Sequence, residues 1–407
     1  MVYAGARDAD LPTPATTITH DSGGRTARLT SIDTLRGCVM ILMALDHVRD
    51  YFGVPGQNPV NLAQTTVPLF LTRWITHLCA PTFFLLTGTG AFLAGSRRST
   101  SELSRFLFVR GLWLIVLEVT VIRCLGFQFN ADYQVTMVVV IWALGWAMVV
   151  LAGLVWLPAP AILVFGVVMV AGHNLLDGFR SAHPLWVMLH AQGMLVNRPG
   201  FVVFVAYPLV PWVGVTALGY ALGQIYQWDS ERRRAFLLRA GVASIAAFAL
   251  LRAFNVYGNP VPWATQASPA FTILSFLNVT KQPPSLLFLL ITLGAALLIL
   301  RALDRRTPRV LQPALVFGRV PLFYFVLHLS LIHLLAVAAC YAMNGAVHWM
   351  FESPNLGAYP FTPPPVWGLS LPAIYLLWVA VVLALYPVCA WFASVKQRRR
   401  DWWLSYV

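Results

Sequence analysis

Charge is scarce in this chain. Only 11% of its 407 residues are Asp, Glu, Lys or Arg, against about a quarter in a soluble globular protein. Too little charge remains to cover a soluble surface, so a water-soluble single domain is excluded. Acids are the scarcer sign, 15 against 28 basic residues. The resulting excess of 13 positive charges would point to nucleic acid in a soluble protein, but here it is confined to alternate loops. Cysteine is sparse and scattered: Cys38, Cys79, Cys124, Cys340 and Cys389. An odd number without a CxxC pair argues against a disulfide framework and against a zinc site, and no bound metal is expected. There is no convincing internal repeat. The first 30 residues are polar, with Asp8, Asp10 and Asp21, and lack the basic start and apolar core of a secretory signal. They are expected to form a disordered tail.

What the chain has instead is long apolar runs. Hydrophobic residues make up 58% of it and cluster into runs of 18 or more, enough to cross a hydrocarbon core of roughly 30 Å as helices. A β-barrel would show short alternating segments. The expected fold is all-α, a polytopic integral membrane protein of about ten helices, over 33–53, 69–95, 103–125, 133–157, 159–176, 200–226, 234–254, 284–303, 314–342 and 367–395. The fourth and fifth are divided only by "LPAPA", where Pro158 and Pro160 act as breakers. Arginine clusters then all fall on one side: Arg97, Arg98 and Arg105; Arg232, Arg233, Arg234 and Arg239; Arg301, Arg305, Arg306 and Arg309; Lys396, Arg398, Arg399 and Arg400. The other side has mainly Arg180, Arg198 and Lys281. The positive-inside rule puts both termini in the cytoplasm, in a multi-pass protein of the inner (plasma) membrane. The expected organisation is a cytoplasmic tail over 1–30, a transmembrane domain over 31–396 and a basic cytoplasmic tail over 397–407. The longest loops, 177–199, 255–283 and 343–366, face outward.

The first apolar run is also the most charged. "SIDTLRGCVMILMALDHVRDYF", Ser31–Phe52, contains Asp33, Arg36, Asp46, His47, Arg49 and Asp50. At 100° per residue Asp33, Arg36, His47 and Asp50 fall on one face, with Arg36 and His47 about 16 Å apart along the axis. Ionisable groups in a membrane are costly and face a bundle interior or an aqueous cavity. One such histidine is commonly a structural hydrogen-bond partner; a stripe of Arg, His and Asp points to function.

Other polar positions are fewer. Arg73 and His77 are four residues apart in the second helix, with His77 in the outer half near His47; the plain alternative is a buried interhelical hydrogen bond. His328 and His333 lie 140° apart, a poor metal pair, since shared ligands prefer i, i+4. His328 is either a cavity residue or an interhelical hydrogen-bond partner. Glu118 needs a partner, such as Arg123, or a proton. Tyr207, Pro208, Pro211 and Trp212 form a kinked aromatic segment suited to packing.

"SIDTLRG" resembles the opening of the catalytic domain of heparan-α-glucosaminide N-acetyltransferase and its bacterial relatives. Arg36 and His47 also fit the R-x10-H pattern of the membrane acyltransferase-3 family, of the same broader group of transmembrane acyltransferases. "WITHLCAPTFFLLTGTGAFL", "YPLVPWVGVTALGYALGQIY", "FLNVTKQPPSLLFLLITLG", "FGRVPLFYFVLHLSLIHLL" and "RRDWWLSYV" resemble a bacterial branch of that group. The resemblance implies transfer of an acetyl or other short acyl group from acetyl-CoA, a cytoplasmic co-substrate, to a hydroxyl or amine of a glycan-type acceptor at the outer face. It implies His47 as the catalytic histidine and Arg36 as the patterned arginine. The heparan branch carries its key histidine after the first helix, which keeps His77 as a rival.

The chemistry agrees with the residues. Acyl transfer needs a base, and imidazole titrates in the right range. Asp50 or Asp46 is placed to orient it, unless the histidine itself takes the acyl group. Arg36 with Asp33, and Arg105 and Arg110 at the start of helix three, are candidates for the anionic donor, because guanidinium forks match phosphates; ordinary topology and lipid headgroups also account for the latter two. Arg73 and His328 are candidates for the acceptor. The bilayer and the two substrates are the partners expected, and nucleic acid is not. A proton-coupled transporter would use the same buried groups; a non-catalytic scaffold would not need them.

Overall fold

The computed structural model describes residues 30–399 and 401–405. The expected N-terminal tail lies outside these residues, except for Thr30, where the first helix begins. The chain is an all-α polytopic membrane protein. Helix α1 (Thr30–Phe52) is followed by α2 (Val67–Thr76), α3 (Cys79–Gly95) and α4 (Thr100–Leu117), which runs on as a π-helical segment, Glu118–Phe127. Then come β1 (Val135–Val138), α5 (Val140–Leu154), α6 (Ala159–Gly172), α7 (Pro184–Leu189), β2 (Gly193–Arg198), β3 (Phe201–Val205) and α8 (Leu209–Leu222). The remainder is α9 (Ser230–Phe254), α10 (Pro269–Leu277), α11 (Leu286–Leu303), α12 (Gln312–Arg319), α13 (Pro321–Asn344) and α14 (Leu371–Arg398).

Among the described residues seven stretches are long and apolar enough to cross a membrane: Val67–Gly95, Ala159–Leu176, Leu209–Gln227, Ser230–Phe254, Leu286–Leu303, Pro321–Asn344 and Leu371–Arg398. Each matches an expected span. The other three expected spans are present as helices and differ for physical reasons. Helix α1 carries five charges and His47, α4 carries Glu102, Arg105 and Arg110, and α5 has only 15 residues. Helix α1 tolerates its charges because it is central: α2, α3, α11, α12, α13 and α14 all pack against it, so its polar groups meet protein and not lipid.

Several boundaries differ from the sequence expectation. The second span is not continuous: α2 ends at Thr76, and His77 and Leu78 separate it from α3. The fourth and sixth spans do not begin as helix at 133 and 200. Those β-branched and aromatic runs form β1 and β3, which pair in parallel, with β2 antiparallel on the far side of β3. Short apolar runs do not reveal their period, and β-branched residues fit a pleated ribbon.

Glycines set the closest helix contacts. A Cβ on Gly318 would lie 1.8 Å from the Asp33 carbonyl oxygen, and one on Gly37 would lie 1.7 Å from that of Ala314. Backbones therefore touch where α1 crosses α12, the small-residue packing common in membranes. Helices α3 and α8 meet the same way at Gly88 and Gly219. Polar ends are capped: Ser99 and Glu102 form a capping box on α4, and Asp229 caps α9. Arg233 bridges to Asp304 at 2.9 Å and Arg305 to Glu231 at 2.8 Å, tying the start of α9 to the segment after α11. Arg233, Arg234, Arg301 and Arg305 gather at that end of the bundle.

Candidate active site

The site is built around α1. In its C-terminal third, Asp46 is fully engaged. Its Oδ1 accepts from the Thr76 hydroxyl at 2.9 Å and pairs with Arg49 at 2.9 Å, and its Oδ2 accepts from Arg73. Arg73 and Thr76 stand in the last turn of α2, next to the break. Arg49 also bonds Asp50, whose side chain is half exposed at 50%. Asp46 and Asp50, expected to orient His47, are instead seen bonded to guanidinium groups, Arg49 and Arg73 for the first and Arg49 for the second.

His47 is held by α13. Its Nδ1 lies 2.7 Å from Nε2 of His328, and Nδ1 of His328 lies 2.9 Å from the Tyr324 carbonyl oxygen. A carbonyl only accepts, so His328 carries its proton on Nδ1, its Nε2 accepts, and His47 donates from Nδ1. Nε2 of His47 is left as a lone pair, and the hydrogen bond of this ring found among the described residues is the one from Nδ1. Phe127 and Phe325 meet its ring edge-on at 6.1 and 6.2 Å. This is the geometry of a base fixed in one tautomer. His328 is thus the interhelical partner, and the i, i+3 carboxylate is not.

His77 lies in the α2–α3 break, buried, with its ring on Phe288 at 5.3 Å and its Nδ1 unpartnered. His333 is structural: its Nε2 reaches the Met350 carbonyl at 2.8 Å. Glu118 does not pair with Arg123. Arg123 serves the Asn130 and Val135 carbonyls and Asp132, whereas the Glu118 carboxyl faces the backbone amides of Val139, Ile141 and Trp142 where α5 starts. Sequence reasoning also passed over Lys281, whose Nζ stands 4.0 Å from Asp46 Oδ2.

Two cavities flank this centre. One, of about 340 Å³, opens at the arginine-rich end; its walls are apolar, among them Met40, Phe83, Leu144 and Phe325, and it carries four cations, Arg36, Arg110, Arg319 and Lys396. Arg36 is fixed there by Asp33 at 2.8 Å and the Gly318 carbonyl at 3.0 Å. Nε of Arg319 is buried without a partner. Arg105 is exposed and lies outside this lining. Arg319 was missed from the sequence, although it stands in "FGRVPLFYF" immediately before α13. The second cavity, of about 390 Å³, lies at the opposite end and is lined by Arg49, Asp50, Tyr359, Trp367 and neighbours. The two share no lining residue, and His47 lines neither; it stands between them, touching Phe325 of the first and two residues from Arg49 of the second. No group of His, Cys, Asp and Glu that would hold a metal occurs among the described residues.

A family model described as heparan-alpha-glucosaminide N-acetyltransferase, catalytic, matches residues 28–257, more than half of the chain. The match takes in Arg36, Asp46, His47, Arg73, His77 and Arg110, and stops short of Lys281, Arg319 and His328. No curated protein matches the chain.

Proposed function

The chain belongs to the heparan-α-glucosaminide N-acetyltransferase catalytic family, and from that premise we propose that it moves an acetyl or other short acyl group from cytoplasmic acyl-CoA to a hydroxyl or amine of a glycan-type acceptor outside an inner (plasma) membrane. The arginine-rich end is the cytoplasmic one, with both termini on that side. The observation that carries the reading is the arrangement along α1: a cationic, apolar-walled cavity at one end, a second cavity at the other, and an imidazole lone pair between them. Apolar walls with a few placed charges are the usual form of a small-molecule site, and 340 Å³ is near the small end of the roughly 300–1,000 Å³ range. It suits the thin acyl-pantetheine arm of the donor, with the nucleotide phosphates held at Arg36, Arg110, Arg319 and Lys396.

The residues then divide the work. Nε2 of His47 takes the proton of the attacking acceptor, and His328 holds the ring. The Asp46–Arg73–Arg49 network fixes the junction of α1 and α2 beside it. The acceptor enters from the cavity lined by Asp50 and Trp367. A transporter needs a path that joins the two sides, and the separate linings of the two cavities favour the enzyme.

The test is acetyl-CoA binding and slow hydrolysis by purified protein in detergent. Arg36→Ala should weaken binding about tenfold or more, as loss of a charge-assisted contact does. His47→Ala should leave binding intact and lower turnover by roughly 10²–10⁴-fold. Loss of turnover in His77→Ala alone would move the base to the α2–α3 break. Folded wild-type protein that binds no acyl-CoA would sink the proposal.

A further inference from the structure

Lys281 enters the site from outside the membrane-spanning helices, on a segment that is unusually well secured. Arg252, buried in the last turn of α9, donates to four carbonyls of that segment: Phe276 at 2.9 Å, Val261 at 2.8 Å, Ser275 at 2.9 Å and Asn278 at 2.8 Å. The Thr280 amide donates to Asn259 at 2.8 Å, and the Asn278 side chain to the Val60 carbonyl at 2.9 Å. What this scaffold delivers is one ammonium group, 16% exposed and 4.0 Å from Asp46.

The ammonium is not needed where it stands. Both Asp46 oxygens are already satisfied by Thr76, Arg49 and Arg73. Two carboxylates, Asp46 and Asp50, already face two guanidinium groups, Arg49 and Arg73, so Lys281 adds a positive charge in excess. Its one ionic neighbour among the described residues is Asp46, at 4.0 Å and beyond hydrogen-bond distance. Holding a largely buried cation beside two guanidinium groups is costly, and the cost is recovered when negative charge develops beside it. Asp46, which the ammonium faces, is the chain neighbour of His47 on α1.

We propose that Lys281 is a catalytic residue whose ammonium holds the oxyanion formed on the acyl carbonyl. The inference rests on the acyltransferase reading above. As the acceptor oxygen or nitrogen bonds to the carbonyl carbon, the carbonyl π pair moves onto oxygen and is met by Lys281, while the acceptor proton passes to Nε2 of His47. Collapse re-forms the carbonyl and breaks the carbon–sulfur bond, and the imidazolium proton goes to the departing thiolate. Fixed donors aimed at developing charge are the largest single contribution in many enzymes.

A pH signature follows. The groups around Lys281 are Asp46, His47, Arg49 and Asp50 on α1, Arg73 on α2, His77 in the break and Cys79 on α3. Burial, and next the Arg73 charge, push its ammonium down to about 8. The charged form is therefore present below that pH and lost above it.

Acetyl-CoA is the probe, with water as acceptor and CoA release as readout. Wild-type release should fall as pH rises through about 8. Lys281→Met should lower release at pH 7 by about 10²–10³-fold with acetyl-CoA binding unchanged. Lys281→Arg, a permanent cation, should keep part of the activity and lose the basic fall. Release by Lys281→Met within about threefold of wild type, or the same basic fall in Lys281→Arg, would overturn the role. If Lys281→Met fails to bind acetyl-CoA, the Lys281→Arg profile decides. Folded wild type that releases no CoA defeats the acyltransferase reading and this one with it; active wild type beside an active Lys281→Met defeats only the role of Lys281.

Discussion

At the scale of single residues, the site turns on which nitrogen of His47 is free. The His47–His328–Tyr324 chain leaves Nε2 available only while His328 accepts from Nδ1. On the proposed function His328 is a positioning residue, and its removal has a definite signature. His328→Ala should lower kcat about 10²-fold or more, as loss of the group that fixes a base's tautomer does, with KM for acetyl-CoA unchanged. His328→Gln, whose amide oxygen can accept the same hydrogen, should restore part of the loss. Steady-state kinetics of the two variants checks this; equal losses in both would show a packing role only. The Arg36–His47 stripe was readable from the sequence because eleven residues make just over three helical turns. The partner was not, because it lies 281 positions away on α13, while the adjacent Asp46 and Asp50 were the visible candidates. Their engagement with Arg49 and Arg73 is a tertiary fact that no local spacing carries.

At the scale of elements, α3 shows how one helix serves both packing and chemistry. Gly88 and Gly90 are two residues apart. A Cβ on Gly88 would lie 1.9 Å from the Thr216 carbonyl oxygen, whereas one on Gly90, which lines the arginine-rich cavity, would meet nothing within 4 Å. Gly88→Ala should therefore push α3 off α8 and cost about 1–3 kcal/mol, seen as a lower Tm in detergent. Gly90→Leu should leave Tm unchanged or slightly raised and instead fill the cavity, weakening acetyl-CoA binding. Such positions are hard to separate in the sequence, since both are glycines in one apolar run. The His77–Leu78 break was marked only indirectly: Pro81 cannot donate the i→i−4 bond to the His77 carbonyl, while apolar residues continue on both sides. Arg73 and Thr76, in the turn before it, both reach Asp46.

At the scale of the molecule, the order of spans was legible because hydrocarbon demands long apolar helices, and arginine marks one end of them. The three short strands were not, since their apolar runs extend the adjoining helices without a change of composition. Orientation can be checked directly. The native cysteines are buried or half-buried, so single probes at exposed Arg306→Cys and Gln64→Cys report the two ends. A membrane-impermeant maleimide added to intact cells should label Gln64→Cys and spare Arg306→Cys; the reverse pattern would invert the donor and acceptor sides.

The separate linings of the two cavities have an electrical meaning on the proposed function. His47, braced by His328 between Phe127 and Phe325, would then be a septum that only the reacting carbonyl has to reach from one side and only the attacking atom from the other. On that reading neither substrate has to cross, and the reaction requires no continuous water column. The acyl group would move between compartments while the protein around His47 stays in place as insulation.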